Sequence, residues 1–217
     1  MMFVCLPGVY AVRPDTEILL ASLEAEHVPS GARVLDLGTG TGALAVAAAA
    51  RGAAVTAVDV SRRALCSAFL NGLLRGRRIQ VRRGDLFAPV RDRSFDLIVS
   101  NPPYIPAPGA PSATLGDRSR SWDAGPAGRD VLDRLCRQSR RMLAPGGVVL
   151  IAQSSVADVA RTCTLLRRSG LRAEVVARSR GGFGPVMRGR APWLEQQGLI
   201  GPGTREEDLV VVRGARE

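Results

Sequence analysis

The chain has 217 residues, the length of one domain, and 46% of them are hydrophobic. This composition argues against intrinsic disorder, and no apolar run reaches the roughly 18 residues that predict a membrane-spanning helix. The four cysteines lie far apart, in no metal-binding or disulfide pattern. We therefore expect a soluble, cytoplasmic globular domain that has no membrane partner and no metal site.

The charge is unusual because all 30 basic residues are arginine and the formal net charge is +10. Residues 1–60 contain three arginines and six acidic residues, whereas residues 61–217 contain 27 arginines and 14 acidic residues. Arginine pairs well with phosphate, so a nucleic-acid partner is one explanation of this excess. A genomic preference for arginine codons is the other explanation, and it is the one we favour.

Strand and helix patterns alternate along the chain after a predicted N-terminal helix near residues 14–27. Strands are predicted over residues 33–37, 55–58, 79–81, 95–100, 148–152, 171–177 and 208–213. Helices are predicted over residues 43–51, 61–74, 130–143 and 156–169. This order predicts an α/β fold with a doubly wound, mostly parallel seven-stranded sheet, in a single domain spanning residues 1–217. Residues 181–205 form an insertion before the last strand, which we interpret as a hairpin covering the sheet. The alternative is a platform for the substrate or a partner.

The first strand runs into a glycine-rich turn, Gly38-Thr39-Gly40-Thr41-Gly42, and glycines there let the backbone approach a ligand closely. Asp59 ends the second strand, where its carboxylate can accept hydrogen bonds from both hydroxyls of a ribose. Asp85 ends the third strand, well placed for an adenine amino group. The G-x-G-x-G spacing and the carboxylate of Asp36 argue against a nicotinamide dinucleotide and favour a cationic cofactor.

This strand, turn and set of acidic residues resembles the S-adenosylmethionine site of the Rossmann-like class I methyltransferases. The resemblance implies S-adenosylmethionine as the cofactor and S-adenosylhomocysteine as the product. It also implies that Gly38 and Gly40 pass close to the methionine part and that Asp36 contacts its amino group. Asp59 would hold the ribose, and Asp85 with Leu86 would flank the adenine.

Asn101-Pro102-Pro103-Tyr104 follows the fourth strand and is the most specific motif in the chain. An amide nitrogen is a poor nucleophile, so a catalyst for its methylation must hold the NH2 group and aim it. The Asn101 side-chain oxygen and the Pro102 carbonyl can supply two convergent acceptors, and Tyr104 offers a flat face to a planar amide or base. We predict these three residues as catalytic. Such a motif is typical of methyltransferases that act on adenine N6, cytosine N4 or glutamine N5.

The segment Arg13-Pro14-Asp15-Thr16-Glu17, together with the Asn-Pro-Pro-Tyr motif and residues 122–130, is similar to the protein-(glutamine-N5) methyltransferases of peptide-release factors. The similarity covers roughly residues 9–178. It implies the short subfamily without an N-terminal helical domain, some members of which use a small zinc-binding activator subunit, and it implies that the Thr16 region closes over the cofactor. The predicted cofactor-binding residues are then Thr16, Asp36, Gly38, Thr39, Gly40, Asp59, Val60, Asp85, Leu86 and Asn101.

The methyl acceptor has three candidate classes at this point. We favour the glutamine of the Gly-Gly-Gln motif in a release factor. The alternatives are N6-adenine of RNA or DNA and a small molecule, and direct nucleic-acid binding is not favoured because no target-recognition segment is evident. A non-catalytic cofactor-binding subunit is a further alternative.

Overall fold

The computed structural model describes residues 3–109 and 118–217. In that part of the chain seven strands form one sheet: β1 (Arg33–Leu37), β2 (Ala54–Asp59), β3 (Ile79–Arg83), β4 (Phe95–Ser100), β5 (Leu143–Ser154), β6 (Arg172–Gly182) and β7 (Glu206–Ala215). The α-helices of the same part are α1 (Pro14–Ala25), α2 (Ala43–Ala50), α3 (Arg62–Leu73), α4 (Asp130–Met142), α5 (Val159–Arg168) and α6 (Pro185–Gln196). None of these described helices has the length and apolar character needed to cross a membrane.

The strand order is β3-β2-β1-β4-β5-β7-β6. Strands β1 to β5 are parallel, and β7 runs antiparallel between β5 and β6. The predicted doubly wound, mostly parallel sheet is therefore confirmed. Because strand order reverses between β1 and β4, the carboxyl ends of these two strands border the crevice where such sheets bind ligands.

The core has two layers because the central strands are buried on both faces. In β1, Val34 packs with α1 and α2 on one face, whereas Leu35 packs with α4 and α5 on the other. In β4, Val99 packs in the same layer as Val34, and Ile98 packs in the same layer as Leu35. Strands buried on both sides are continuous apolar runs, which is why the sequence pattern predicts β1 and β4 with the bounds observed.

The structure corrects the predicted bounds of several other elements. Strands β5, β6 and β7 extend beyond the apolar runs that predicted them, because their outer residues pair with neighbouring strands. The added residues of β6 are exposed, whereas those of β5 include the buried Leu143, Gln153 and Ser154. The helix predicted over residues 156–169 is divided at Asp158, whose φ of +52° separates a 3-10 turn (Ser155–Ala157) from α5. Helix α1 ends at Ala25, two residues before the predicted end.

The insertion at residues 181–205 contains a helix rather than the predicted hairpin. Helix α6 buries Met187, Ala191 and Leu194, and Phe183 joins the same apolar cluster. Gly189 and Pro192 lie inside the helix, where glycine and proline are unfavourable, so local propensity gives no helix signal. Tertiary packing of the apolar face overrides that propensity, as burial commonly does for short helices.

Candidate active site

A cavity of about 570 Å³ opens at the carboxyl ends of β1, β2, β3 and β4. Its walls are the turns that follow these strands, together with residues 8–12 from the N-terminal segment. Nine of the ten predicted cofactor-binding residues line it, namely Thr16, Gly38, Thr39, Gly40, Asp59, Val60, Asp85, Leu86 and Asn101. The topology thus brings together residues that are up to 85 positions apart, as for Thr16 and Asn101.

The three glycines of the turn after β1 have different roles. All three adopt positive φ, and Gly38 and Gly40 line the cavity. A side chain on Gly42 would place its Cβ 2.7 Å from Cα and Cβ of Ala68 on α3. Gly42 therefore permits the close packing of α2 on α3, while the first two glycines leave the cavity wall open.

Asp59 is held at the end of β2 by backbone donors. Its Oδ2 accepts from the Gly40 N–H at 3.1 Å, and its Oδ1 accepts from the Ser61 N–H at 2.8 Å. Burial raises the pKa of Asp59, and these hydrogen bonds oppose that effect by stabilising the carboxylate. Each oxygen has a further lone pair, so the carboxylate can still accept from ligand hydroxyls. Beside it, the apolar side chain of Val60 is 51% exposed in the cavity wall.

Asp36 does not line the cavity, and this placement differs from the direct cofactor contact implied by the sequence. Its side chain is fully buried beneath the glycine-rich turn. Its Oδ2 accepts from the Thr39 hydroxyl at 2.6 Å and from the Ala45 N–H, at the start of α2, at 3.1 Å. The alternation of side chains along β1 turns Asp36 toward α2, where it stabilises the turn and the helix N-terminus. Its Oδ1 is buried and has no hydrogen-bond partner among the described residues, so a contact with the cofactor stays a prediction. Burial raises the pKa of Asp36 to about 7.

Asp85 and Leu86 form the wall of the cavity after β3. The Asp85 Oδ2 lies 2.5 Å from Nη2 of Arg134 on α4, in a half-exposed ion pair. Leu86 adopts a φ of +47°, a left-handed conformation that costs a non-glycine residue about 1–2 kcal/mol. Strain of this kind persists where surrounding structure imposes it, and here it lies at the predicted adenine-binding wall.

Asn101 lies where the cavity meets a second, much smaller pocket of about 10 Å³. Its Nδ2 donates to the Thr16 hydroxyl at 3.2 Å, which sets the orientation of the amide. Its Oδ1 is buried and has no hydrogen-bond partner among the described residues. A buried acceptor without a partner is unfavourable, so this oxygen is available to an incoming donor.

The smaller pocket has an acidic centre that the sequence reasoning missed. Asp15 is buried, and its Oδ2 accepts from the hydroxyls of Tyr104 at 2.8 Å and Tyr10 at 2.9 Å. Its Oδ1 accepts from the Thr16 hydroxyl at 3.3 Å, which links the network to Asn101. Burial and the Asp15 carboxylate raise the pKa of both tyrosines, so both remain protonated donors.

These contacts change the interpretation of two sequence motifs. Asp15 lies at the start of the helix predicted near residues 14–27, where an acidic residue is favourable, and this position gives no sign of its distant partners. Tyr104 lines the smaller pocket together with Ile105 and Trp122, and its contact with the methyl acceptor stays a prediction.

The N-terminal segment that covers the cavity is tied to α3. The buried side chain of Asn71 accepts from the Val4 N–H at 2.8 Å and donates to the Val4 carbonyl at 2.8 Å. It also donates to the Thr41 carbonyl at 2.9 Å, and Leu6 N–H donates to the Ser67 hydroxyl at 3.2 Å. One amide side chain therefore connects the N-terminal segment, the glycine-rich turn and α3.

Metal ligands do not cluster in residues 3–109 and 118–217, where no group of three or more His, Cys, Asp or Glu side chains could hold a metal ion. The buried thiols of Cys136 and Cys163 lie in the apolar core. Burial raises the pKa of both thiols, to about 12 for Cys136. These two thiols are consistent with a structural role.

A seven-stranded sheet of this order, with its glycine-rich turn after β1 and a carboxylate after β2, defines the Rossmann-like class I methyltransferases. The chain matches the methyltransferase small domain family over residues 1–113. A release factor glutamine methyltransferase of Gloeobacter violaceus is 39% identical over 156 residues, which are 67% of this chain and 54% of the relative. A Methanocaldococcus jannaschii protein, described provisionally as a protein N5-glutamine methyltransferase, is 33% identical over 182 residues, which are 83% of this chain and 90% of that protein. The chain belongs to this family of glutamine methyltransferases, as its motifs predicted.

The chain spans about half the length of the Gloeobacter relative. Among solved structures, a chain of the Mtq2–Trm112 complex of E. cuniculi, responsible for methylation of the termination factor eRF1, superposes with a TM-score of 0.67. The two chains are 22% identical, and the match covers 97% of this chain and 99% of the other. At this identity the likeness shows the fold, and it confirms the predicted class I architecture.

Proposed function

We propose that this protein transfers a methyl group from S-adenosylmethionine to the side-chain amide nitrogen of a glutamine, in the Gly-Gly-Gln motif of a peptide-release factor. The observation that carries the proposal is the buried, unpartnered Oδ1 of Asn101 at the junction of the two pockets. An amide NH2 group supplies the donor that this oxygen lacks. Family membership supports glutamine as the source of that amide.

The larger cavity fits the proposed cofactor. Gly38 and Gly40 would leave room for its methionine part, Asp59 would accept from the ribose hydroxyls, and Val60 with Leu86 would pack on the adenine. When bound, S-adenosylmethionine supplies a sulfonium methyl group, so transfer breaks the sulfur–carbon bond, forms the nitrogen–carbon bond, and leaves S-adenosylhomocysteine. The charge of Asp59 also suits a cationic ligand.

The residues after β4 would orient the acceptor. Asn101 Oδ1 and the Pro102 carbonyl would accept from the two amide hydrogens, which aims the nitrogen lone pair toward the larger cavity. Thr16 fixes the Asn101 side chain, and Tyr104 forms the wall on which a planar amide packs. The acceptor nitrogen loses one proton to water after transfer, and these contacts require no strong base.

A transfer assay tests the proposal directly. Purified protein is incubated with methyl-labelled S-adenosylmethionine and a release factor, either native or with Gln→Ala in its Gly-Gly-Gln motif. We expect labelling of the native release factor alone. Asn101→Ala is expected to lower kcat by about 100-fold. Its effect on S-adenosylhomocysteine affinity, measured by calorimetry, is expected to be much smaller, although Asn101 also lines the cofactor cavity. The surface variant Asp92→Asn is the control, and we expect it to keep the wild-type kcat and the wild-type affinity for S-adenosylhomocysteine.

The alternative acceptors are separate outcomes of the same assay. Label in RNA or DNA that survives protease treatment would replace the glutamine proposal with adenine methylation. Label confined to a small-molecule fraction would indicate a biosynthetic N-methyltransferase. Binding of the cofactor with no transfer to any of these would favour a non-catalytic subunit. A release-factor substrate also leads us to expect a cytoplasmic enzyme.

We further propose a small activator subunit bound at the β3 edge of the sheet. β3 is one of the two edge strands, and Phe69 and Leu73 on the adjacent helix α3 are exposed, as is Leu74 directly after it. Exposed apolar side chains grouped beside an edge strand support a protein partner. The chain is co-expressed with a small zinc-binding protein of the same organism, and complex formation is measured by light scattering. Full activity of the chain alone, with no complex, would contradict this part of the proposal.

A further inference from the structure

The underside of α6 contacts the loop that carries the end of the Asn-Pro-Pro-Tyr-Ile motif. Phe183, Met187 and Leu194 form a buried apolar cluster, against which Ile105 packs. Ile105 is also a wall of the smaller pocket. Helix α6 therefore reaches the proposed acceptor site through side-chain packing, although it lies more than 80 residues away in sequence.

Arg190 adds a polar connection at the same place. Its Nη1 lies 2.6 Å from Oδ1 of Asp123, at the distance of an ion pair but without the alignment of a hydrogen bond, and it donates to the Pro106 carbonyl at 3.0 Å. The side chains of Arg190 and Asp123 are only 22% and 9% exposed, so the ion pair is largely shielded from water. Removing one partner of a shielded pair leaves the other charge buried without a counter-charge, so its loss is more damaging than the loss of a surface pair.

The two loops that Arg190 joins also pair with each other. Ile105 N–H donates to the Trp122 carbonyl at 2.8 Å, and Ala124 N–H donates to the Ile105 carbonyl at 3.0 Å. Both Ile105 and Trp122 line the smaller pocket, each one residue from a direct partner of Arg190. Among the described residues, neither partner of Arg190 lines the larger cavity.

We propose that Arg190 is a positioning residue for the methyl acceptor: it fixes the Ile105 and Trp122 walls of the smaller pocket, which border the place of the substrate amide at Asn101. The acceptor part of this inference rests on the proposed function. Because Arg190 acts through Pro106 and Asp123, its loss is expected to affect acceptor use and not cofactor binding.

The first test reads the pocket wall without any substrate. Trp122 and Trp193 are the chain's two tryptophans, so Trp193→Phe leaves Trp122 as a single fluorophore beside the pocket. In this background, Arg190→Met is expected to increase acrylamide quenching of Trp122. Arg188→Met, an exposed position on the same helix, is the matched control and is expected to leave quenching unchanged. Equal quenching in the two variants would overturn the inference.

The second test separates acceptor use from cofactor binding. For Arg190→Met we expect kcat/KM for the release factor to fall about 10- to 100-fold, chiefly through KM, with S-adenosylhomocysteine affinity unchanged. Arg190→Lys retains the charge but has one donor group instead of a fork, so partial rescue is expected. A similar fall in both acceptor use and cofactor affinity would indicate general structural damage and contradict the proposal.

Two provisions separate a failure of the Arg190 inference from misfolding of the variant and from failure of the proposed function. If Arg190→Met fails to fold, Asp123→Asn replaces it, because it removes the charge but keeps an acceptor oxygen. If the wild-type chain transfers no methyl group to a release factor, only the proposed function fails. The quenching comparison then still decides the role of Arg190: greater quenching supports it, and unchanged quenching overturns it.

Discussion

Replacing Asp15 by Ala removes the one acceptor that the Tyr10 and Tyr104 hydroxyls share. A hydrogen bond to a charged group contributes about 1.5–3 kcal/mol, and a buried hydroxyl left without a partner carries a penalty of similar size. Two such hydroxyls, one of them fully within the core, lead us to expect a loss of about 3–5 kcal/mol in the free energy of unfolding. Thr16 loses an acceptor too, so Asn101 becomes less ordered and kcat is expected to fall.

The matched control for this prediction is Glu17→Ala. Glu17 is an exposed acidic residue in the same first turn of α1, so both changes remove a charge that complements the helix dipole. Of the two acidic residues, only Asp15 accepts hydrogen bonds from the Tyr10 and Tyr104 hydroxyls, so the difference between the two variants measures those hydrogen bonds. Urea unfolding followed by circular dichroism gives the free energies, and a double-mutant cycle with Tyr104→Phe is expected to give a coupling of about 1–2 kcal/mol.

The result that refutes this reasoning is specific. If Asp15→Ala destabilises the protein no more than Glu17→Ala, the carboxylate contributes only to the helix dipole, worth about 0.3–1 kcal/mol. Additivity in the cycle with Tyr104→Phe would lead to the same conclusion, because a shared hydrogen bond must produce coupling.

Three further predictions concern the turn and its neighbours. Gly42→Ala combines left-handed backbone strain with a clash on α3, so we expect it to lower the free energy of unfolding by more than about 2 kcal/mol. Gly76→Ala is the control, because Gly76 also has positive φ but faces open space, so this variant measures the backbone strain alone. Burial raises the pKa of Asp36 from 3.8 to about 7, so its contribution to stability falls as pH rises between those values; Asp36→Asn is expected to lose this dependence in melting curves from pH 5 to 8. Asp59→Asn is expected to weaken S-adenosylhomocysteine binding about tenfold in calorimetry, and an unchanged affinity would exclude the ribose contact.

The fold was predictable because its signals are local. Strands β1 and β4 are short apolar runs that end at a glycine turn and an Asn-Pro sequence, and Ser61 accepts from the Ala64 N–H at 3.3 Å as a helix cap should. Helix α6 was missed because its glycine and proline oppose helix formation locally. Its stability comes from burial against residues far away in sequence.

The site was predictable in part for the same reason. Motifs at strand ends indicated the cavity walls, because topology alone brings those ends together. Asp15 and Tyr104 are 89 residues apart, and no local pattern distinguishes a buried carboxylate with two tyrosine partners from an ordinary helix start. The direction of Asp36 was also unpredictable from the motif, since it depends on which face of β1 meets α2.

The pairing of Asn71 with Val4 has a consequence for the lifetime of a bound ligand. The Asn71 side chain hydrogen-bonds both backbone groups of Val4 and so anchors the N-terminal segment to α3. Asn71 itself does not line the cavity. Because residues 8–12 of the same segment line the cavity, we expect a weaker anchor to increase the rate at which a bound ligand dissociates. Substitutions on the far side of α3 are therefore expected to alter dissociation rates while every direct contact to the ligand stays in place.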